Sequence, residues 1–329
     1  MSEIGLGFQS DEPPGSYGPL AEAAEAHGVA VLSVYGDLGY PPPIGPLLEI
    51  AAATSRARLG PACLNAATLH PVEIAGQAAH LDRVSGGRAY LGLARGAWLE
   101  RVGAAGTLER LADAAAAVEA ILAGRGHDGP LFRVAPGMRL RPPPLRPRVP
   151  LLIGGWGPRV LALAGRVAGE AKVGGSANPD LVPVVRARIA AGAAAVGRDP
   201  SDVGIVVGAV SVVDEDGEAA RALARTEVAM YLDVVARLDP TVHVPVPLLE
   251  HLRAHLEAGD PEGAGRAVPD GLLDRFAFSG TPEQVASQAA ALFAAGASRV
   301  EFGTPHGLTS PGGIGLIGSR VMPLLGLAP

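Results

Sequence analysis

Cysteine, lysine and aromatic side chains are scarce in this chain, and each shortage removes a class of function. Cys63 is the single cysteine, so no disulfide closes within the chain and no thiolate cluster holds a metal. Of 27 basic residues one, Lys172, is a lysine, leaving 26 arginines; chemistry that needs several lysines is excluded. Aromatic residues make up 4% of a chain that is 48% hydrophobic, so the core must close on Ala, Val and Leu with tightly packed helices. No run of about 18 apolar residues occurs, which argues against a membrane-spanning helix. The N-terminal MSEIGLGF lacks a basic region and an apolar signal core, which points to a cytoplasmic protein. The net charge of −6 speaks against a nucleic-acid surface. No G-x-S-x-G elbow marks a hydrolase and no Walker loop marks an NTPase. His27, His80, His243, His251 and His255 have no Asp, Glu or Cys partner at ligand spacing, so no metal is expected.

What is present is an α/β pattern. Residues 58–98 read as strand, bare loop, helix, glycine turn, strand and second bare loop, a βαβ unit. Its helix enters at His70-Pro71, where proline costs no hydrogen bond, and ends at Ser85-Gly86-Gly87. Asp82 and Arg88 flank that turn, placed to pair across it. Further strands are expected over Glu3–Phe8, Val29–Val34, Leu151–Ile153, Ala171–Val173, Val203–Val213 and Arg299–Phe302. The intervening helices are expected over Pro19–His27, Ile44–Ser55, Leu108–Leu122, Pro158–Ala168, Pro179–Val196, Asp214–Ala236 and Pro282–Ala295, with a closing helix near Ile314–Leu325. Strand and helix thus alternate eight times, the count of a (β/α)8 TIM barrel. The expected organisation is one barrel domain over 1–329, with a hairpin-bearing insertion at about 124–150 and an irregular, charged excursion at about 237–270. A doubly wound sheet would carry G-x-G-x-x-G directly after its first strand, whereas Gly5-Leu6-Gly7 lies within that strand.

In a parallel barrel the chemistry sits on the loops after the strands. Gly154-Gly155-Trp156-Gly157 follows a strand and opens a helix, an arrangement that offers backbone N–H groups to an anion; Gly174-Gly175-Ser176 is a matching second loop. Lys172, beside that loop, has a phosphate or Glu170 as its alternative partners. His306, in the glycine-flanked Gly303-Thr304-Pro305-His306-Gly307, faces the pocket if the barrel is right. Cys63 reads as a small packing residue rather than a nucleophile.

The ordered set R-L-G-P-x-C-x-N, x-H-P, L-D-x-x-S-x-G-R and L-G-L-x-R-G within residues 58–96, followed by Ile153–Arg159, Phe278–Glu283 and Glu301–Gly307, resembles the bacterial luciferase-like flavoprotein superfamily. Within it the chain is most similar to the branch that uses the deazaflavin coenzyme F-420, typified by methylenetetrahydromethanopterin reductase. The resemblance implies an oxidoreductase that moves a hydride between F-420 and a small organic substrate, in a homodimer or larger homo-oligomer. It implies cofactor contact at Ala62, Cys63, Asn65, Arg95, Gly96, Gly154, Gly155, Trp156, Gly157, Lys172, Gly174 and Gly175, and a non-proline cis peptide at Ala62–Cys63. Tyr35 and Trp98 would wall the substrate pocket with His306, and residues 124–150 could close it as a lid. Two positions depart from the pattern: Asp37 stands where relatives carry a histidine beside the reactive ring carbon, and Ala97 where several carry a glutamate. Asp37 then either takes over proton handling, or that job is left to the substrate and Asp37 is a solvated loop residue. An FMN-dependent monooxygenase, or a cofactor-binding barrel without turnover, are the alternative readings.

Overall fold

The computed structural model describes residues 2–327. In chain order the elements are β1 (Glu3–Phe8), α1 (Tyr17–Ala26), β2 (Val31–Val34), α2 (Ile44–Ala53), β3 (Arg58–Pro61), β4 (Leu64–Asn65), α3 (Pro71–Val84), β5 (Leu91–Ala94), α4 (Leu108–Leu122), β6 (His127–Asp128), β7 (Arg133–Val134), β8 (Leu151–Gly154), α5 (Pro158–Val167), β9 (Glu170–Gly174), α6 (Leu181–Ala194), β10 (Gly204–Val213), α7 (Gly217–Val235), α8 (Val246–Glu257), α9 (Pro261–Arg266), α10 (Asp270–Phe276), β11 (Ala277–Gly280), α11 (Pro282–Ala294), β12 (Arg299–His306), α12 (Ser310–Leu316) and α13 (Met322–Leu324). The parallel strands run β3-β2-β1-β12-β10-β9-β8-β5-β4, with β11 beside β10. The two ends of this run meet, because β3 and β4 are consecutive in the chain and Leu59 bridges Ala89 at the foot of β5. The result is the TIM barrel that the alternation predicts.

Side chains alternate along each strand, and here the alternation separates two kinds of packing. Ile4, Leu6 and Phe8 face the helices and are buried, while Gly5 and Gly7 face the barrel axis. The axis is filled by large polar residues set against these glycines. A Cβ on Gly7 would lie 2.1 Å from the Tyr35 hydroxyl, one on Gly60 2.8 Å from the Tyr90 ring, and one on Gly154 2.8 Å from Cys63 Sγ. Glycine is required at these positions for space rather than for its backbone freedom.

Several expectations need correction. Residues 237–270 are not irregular: they hold α8 and α9, because Leu248, Leu249, Leu252 and Leu256 make a helical stripe that His, Arg and Glu obscure. Pro261 then opens α9 behind an Asp260 cap on Gly263 N–H at 2.8 Å. The strand β11 was not foreseen; it adds four residues in parallel to β10. Asp82 does not pair with Arg88. It pairs with Arg146, whose Nε lies 3.0 Å away, while Arg88 donates to the carbonyls of Ala51, Thr54, Ala57 and Ser85. The 124–150 insertion does carry the hairpin, β6 with antiparallel β7, but it is clamped rather than free to close. Asp113 of α4 accepts Leu131 N–H and Phe132 N–H, each at 2.8 Å, and contacts His127 Nε2 at 2.7 Å.

His306 is also displaced from its expected role. β12 runs on to His306 instead of stopping at Phe302, and the imidazole packs on Phe8, ring centres 5.2 Å apart, with no solvent exposure. It lies in the layer between strands and helices, with Nε2 3.1 Å from the Gly7 carbonyl. Burial lowers its pKa to about 4, so the ring is neutral.

Two measurements check this packing. Asp82→Ala removes a buried carboxylate whose partner is half-exposed, and should cost about 2–3 kcal/mol, seen as a lower urea midpoint at unchanged slope. His306 has a folded pKa below its unfolded one, so it adds stability at neutral pH that is lost as pH falls from about 6.5 towards 4. His306→Asn, which tolerates the observed φ of 72°, should flatten the stability profile across that window; an unchanged acid limb would show that His306 does not drive it.

Candidate active site

The loops after the strands gather around the upper end of the barrel, and its floor is polar. Lys172, the lone lysine, lies mid-way along β9 with its side chain inside the barrel, 7% exposed. Its ammonium is ion-paired with Glu301 of β12 and lies 4.9 Å from the centre of the Tyr35 ring. It does not pair with Glu170, one of the two partners expected from sequence. Glu170 is taken by Arg299 at 3.0 Å and by Arg58 at 3.4 Å. Glu301 also accepts from Ser33 Oγ at 2.7 Å, and Ser33 meets the Tyr90 hydroxyl at 2.7 Å. Burial pushes the Glu301 carboxyl pKa up, but Lys172 and Arg299 outweigh it and hold the group below its ordinary value. Tyr35 is a floor residue rather than a wall: its hydroxyl sits where side chains on Gly7 and Gly303 would be.

Above this floor stand Gln9 and Asp37, on the loops that follow β1 and β2. Gln9 Nε2 donates to Asp37 Oδ2 at 3.2 Å, and Gln9 Oε1 is buried without a partner. Asp37 is reached by solvent but lies within a concavity. The resulting desolvation raises its pKa, against the Gln9 hydrogen bond and the Lys172 charge. Ala62–Cys63 is a cis peptide, as the resemblance implies. Cys63 Sγ points towards Gly92 and Gly154 on the neighbouring β5 and β8, and burial pushes its thiol pKa up to about 12, so it is an inert packing group. Asn65 Oδ1 accepts from the N–H groups of Ala67 and Thr68, which shapes the loop after β4. Gly96 has φ 87°, and a side chain there would meet Leu99 at 2.9 Å and Asn65 at 3.1 Å. Arg95 is exposed and ties its loop down through Gly106 O at 2.5 Å. Trp98, left-handed and 36% exposed, caps a short 3-10 turn over Leu99–Val102.

The two glycine loops differ. After β8, α5 starts at Gly157 with no side-chain cap, and the N–H groups of Trp156, Gly157 and Arg159 donate to no oxygen of the described residues. The Trp156 indole is turned inwards and donates to Gly174 O at 3.0 Å. After β9, by contrast, the N–H groups of Gly175 and Ser176 both donate to Gly208 O, at 2.7 and 3.1 Å. The second loop therefore has no free amides at these positions, and the anion cradle expected there is confined to the loop after β8. Gly174 itself faces the axis at the top of β9, and a side chain there would meet nothing within 4 Å. The space above Lys172 is open.

Sequence reasoning missed Gln9, Ser33, Tyr90, Arg299 and Glu301. The available signal was polar residues at alternate positions in apolar strands, as in Arg299-Val300-Glu301, which marks the inner face of a barrel. Two sizeable grooves lie elsewhere. One is at the opposite end of the barrel, where Glu3, Glu25, Arg56 and Arg58 line it and are paired among themselves or to backbone; the other lies beside α8. Among the described residues no cluster of His, Cys, Asp and Glu is built to hold a metal ion, and no helix is long and apolar enough to cross a membrane.

Comparison with known proteins agrees with this architecture. The family model described as luciferase-like monooxygenase matches residues 3–299. A 5,10-methylenetetrahydromethanopterin reductase of Archaeoglobus fulgidus is 30% identical over 293 residues, covering 85% of this chain and 86% of its own. Another, from Methanolobus tindarius, is 27% identical and covers 97% and 99%. Among solved structures, the coenzyme F-420-dependent tetrahydromethanopterin reductase of Methanopyrus kandleri superposes with a TM-score of 0.86 at 24% identity, over 98% of this chain and 99% of its own. An F-420-dependent secondary alcohol dehydrogenase superposes at 0.79 with 17% identity, over 98% and 99%. With the model spanning nine-tenths of the sequence, and a barrel of the matching fold, the chain belongs to the luciferase-like monooxygenase family.

Proposed function

We propose that this protein is an F-420-dependent oxidoreductase that moves a hydride between the deazaflavin coenzyme and a small organic substrate. The observation that carries the reading is the 30% identity, over most of both chains, to a 5,10-methylenetetrahydromethanopterin reductase. The residues fit such a ligand. The uncapped start of α5 suits a phosphate, and the open space over Gly174 and the Ala62–Cys63 peptide suits a flat ring. When bound, the coenzyme supplies the carbon that gives or takes the hydride. The chain's own part is to hold and orient. Free N–H groups of Trp156, Gly157 and Arg159 fix the phosphate-bearing tail, while Ala62, Cys63, Asn65, Arg95, Gly96, Gly154 and Gly155 border the ring. Trp98 stands at the substrate side of the mouth, and Asp37, oriented by Gln9, is the one carboxylate at hand to hold or accept a proton there. His306 has no place in this reading, since it is buried away from the mouth. Hydride transfer depends above all on the approach of two carbons, so loss of the histidine and glutamate that relatives carry at positions 37 and 97 is compatible with turnover. We also place the working unit in a homodimer, checked by light scattering on the purified protein.

Equilibrium binding of F-420 and of FMN, followed by fluorescence, tests the assignment. Micromolar or tighter F-420 binding with weaker FMN binding is expected; the reverse preference would move the protein to the monooxygenase branch. Binding of F-420 without turnover on a broad substrate panel would leave a binding barrel. Gly174→Leu puts a side chain into the open space, where its Cβ meets nothing within 4 Å, so F-420 affinity should fall at least tenfold, about 1.4 kcal/mol, with the melting temperature unchanged.

A further inference from the structure

Six charges run along the barrel axis in alternating sign. From the foot of the barrel upwards they are Glu3, Arg58, Glu170, Arg299, Glu301 and Lys172, with contacts of 2.6 Å for Arg58–Glu3, 3.4 Å for Arg58–Glu170, 3.0 Å for Arg299–Glu170 and 3.9 Å for Arg299–Glu301, ending in the Lys172–Glu301 pair. Arg299 and Glu301 are fully buried. A hydrophobic plug would fill the same volume more cheaply, since buried ion pairs seldom repay their desolvation. What the ladder achieves is a fixed sign at its upper end. Its top member is a cation, and the next inward position above it on β9 is Gly174, with open space around it. The Tyr35 ring flanks the ammonium and presents its face to it. Gln9 and Asp37, the nearest polar groups above, form a hydrogen-bonded pair of their own, and Asp37 is the single carboxylate among them.

We propose that Lys172, braced by Glu301, is the charge that the protein sets beneath the bound ring, and that it favours the anionic form of that ring over the neutral one. This rests on the deazaflavin reading above. The oxidised deazaflavin of F-420 carries an acidic ring hydroxyl whose deprotonation changes its visible absorption. A cation held in a dry floor acts on that ionisation far more strongly than one in water. Glu301 is a positioning residue: it keeps the ammonium at the top of the ladder, where a free lysine would turn outwards to solvent. No bond is made or broken at Lys172, whose proton stays in place.

The test is a pH titration of the visible spectrum of oxidised F-420 bound to the purified protein, compared with free F-420. In the wild type the ring should ionise at lower pH when bound than when free. Lys172→Met combined with Glu301→Gln removes both charges and avoids a lone buried carboxylate; it should raise the ionisation midpoint by at least one pH unit, a tenfold change. Lys172→Arg, which keeps the charge, should hold the midpoint near that of the wild type. Should the double variant fail to fold by circular dichroism, Lys172→Gln combined with Glu301→Gln, which keeps a polar contact between the two positions, takes its place, with the same upward shift expected. If a folded variant binds F-420 and the midpoint does not move, or if Lys172→Arg moves it as far as the neutral variant does, the inference is overturned and Lys172 is structural. If the wild type binds no F-420, the coenzyme reading falls and the inference with it.

Discussion

The axis of the barrel can hold large charged side chains because the strands opposite them supply none. Lys172, Glu301, Arg299, Tyr35 and Tyr90 occupy the interior, and Gly5, Gly7, Gly60, Gly208 and Gly303 give them room. Volume and charge are balanced together, since each large polar group needs both an empty facing position and a partner of opposite sign or a hydroxyl. A change at one rung is therefore felt at its neighbours. Gly208 shows the coupling directly: a side chain there would come within 3.2 Å of Glu301 and 3.7 Å of Lys172, and its carbonyl also fixes the loop after β9.

This interior divides the molecule along its length. The foot of the barrel is closed by Arg58, Glu3, Glu170 and Arg299, and the helices are packed on an apolar layer of small residues that needs few aromatics. The top is left open, with glycines and the uncapped start of α5. The binding end and the structural end are thus made from the same strands, in different registers. Acidification acts unevenly even within the upper end: His306, buried in the strand–helix layer beside Gly7, resists protonation, while Asp37, desolvated in the concavity at the mouth, gains a proton more easily than an ordinary aspartate.

Most of this was legible from residue order. Leu108–Leu122, capped by Thr107, lies where its periodicity placed it, and Gly204–Val213 is the longest strand. The barrel followed from the eight alternations. Failures arose where a local signal was overridden by a distant partner. Asp82 and Arg88 are six residues apart, yet each binds a group more than 30 residues away. Lys172 reads correctly as part of its strand, but beside the glycine loop it reads as a ligand for a phosphate or Glu170, because its partner lies 129 residues on. The glycines after β9 looked like a second anion cradle, since nothing in their own stretch reveals that Gly208 consumes their amides. The site residues that stood out were those on glycine-rich loops, whereas the inward-facing polar rungs were hidden inside strands that read as ordinary core.

The ladder is also assembled from both ends of the sequence. Glu3 and Arg58 arrive early and Glu170 and Lys172 midway, but Arg299 and Glu301 stand on β12, the last strand. During synthesis at about 5–20 residues per second, the first four charges emerge well before Arg299 and Glu301, and until then Lys172 lacks its carboxylate partner. A ribosome-bound chain of 290 residues would hold helices and most of the sheet, yet its axis would be an open, water-filled trough. Closure of the interior therefore waits for the last strand, which completes the barrel and its axis together.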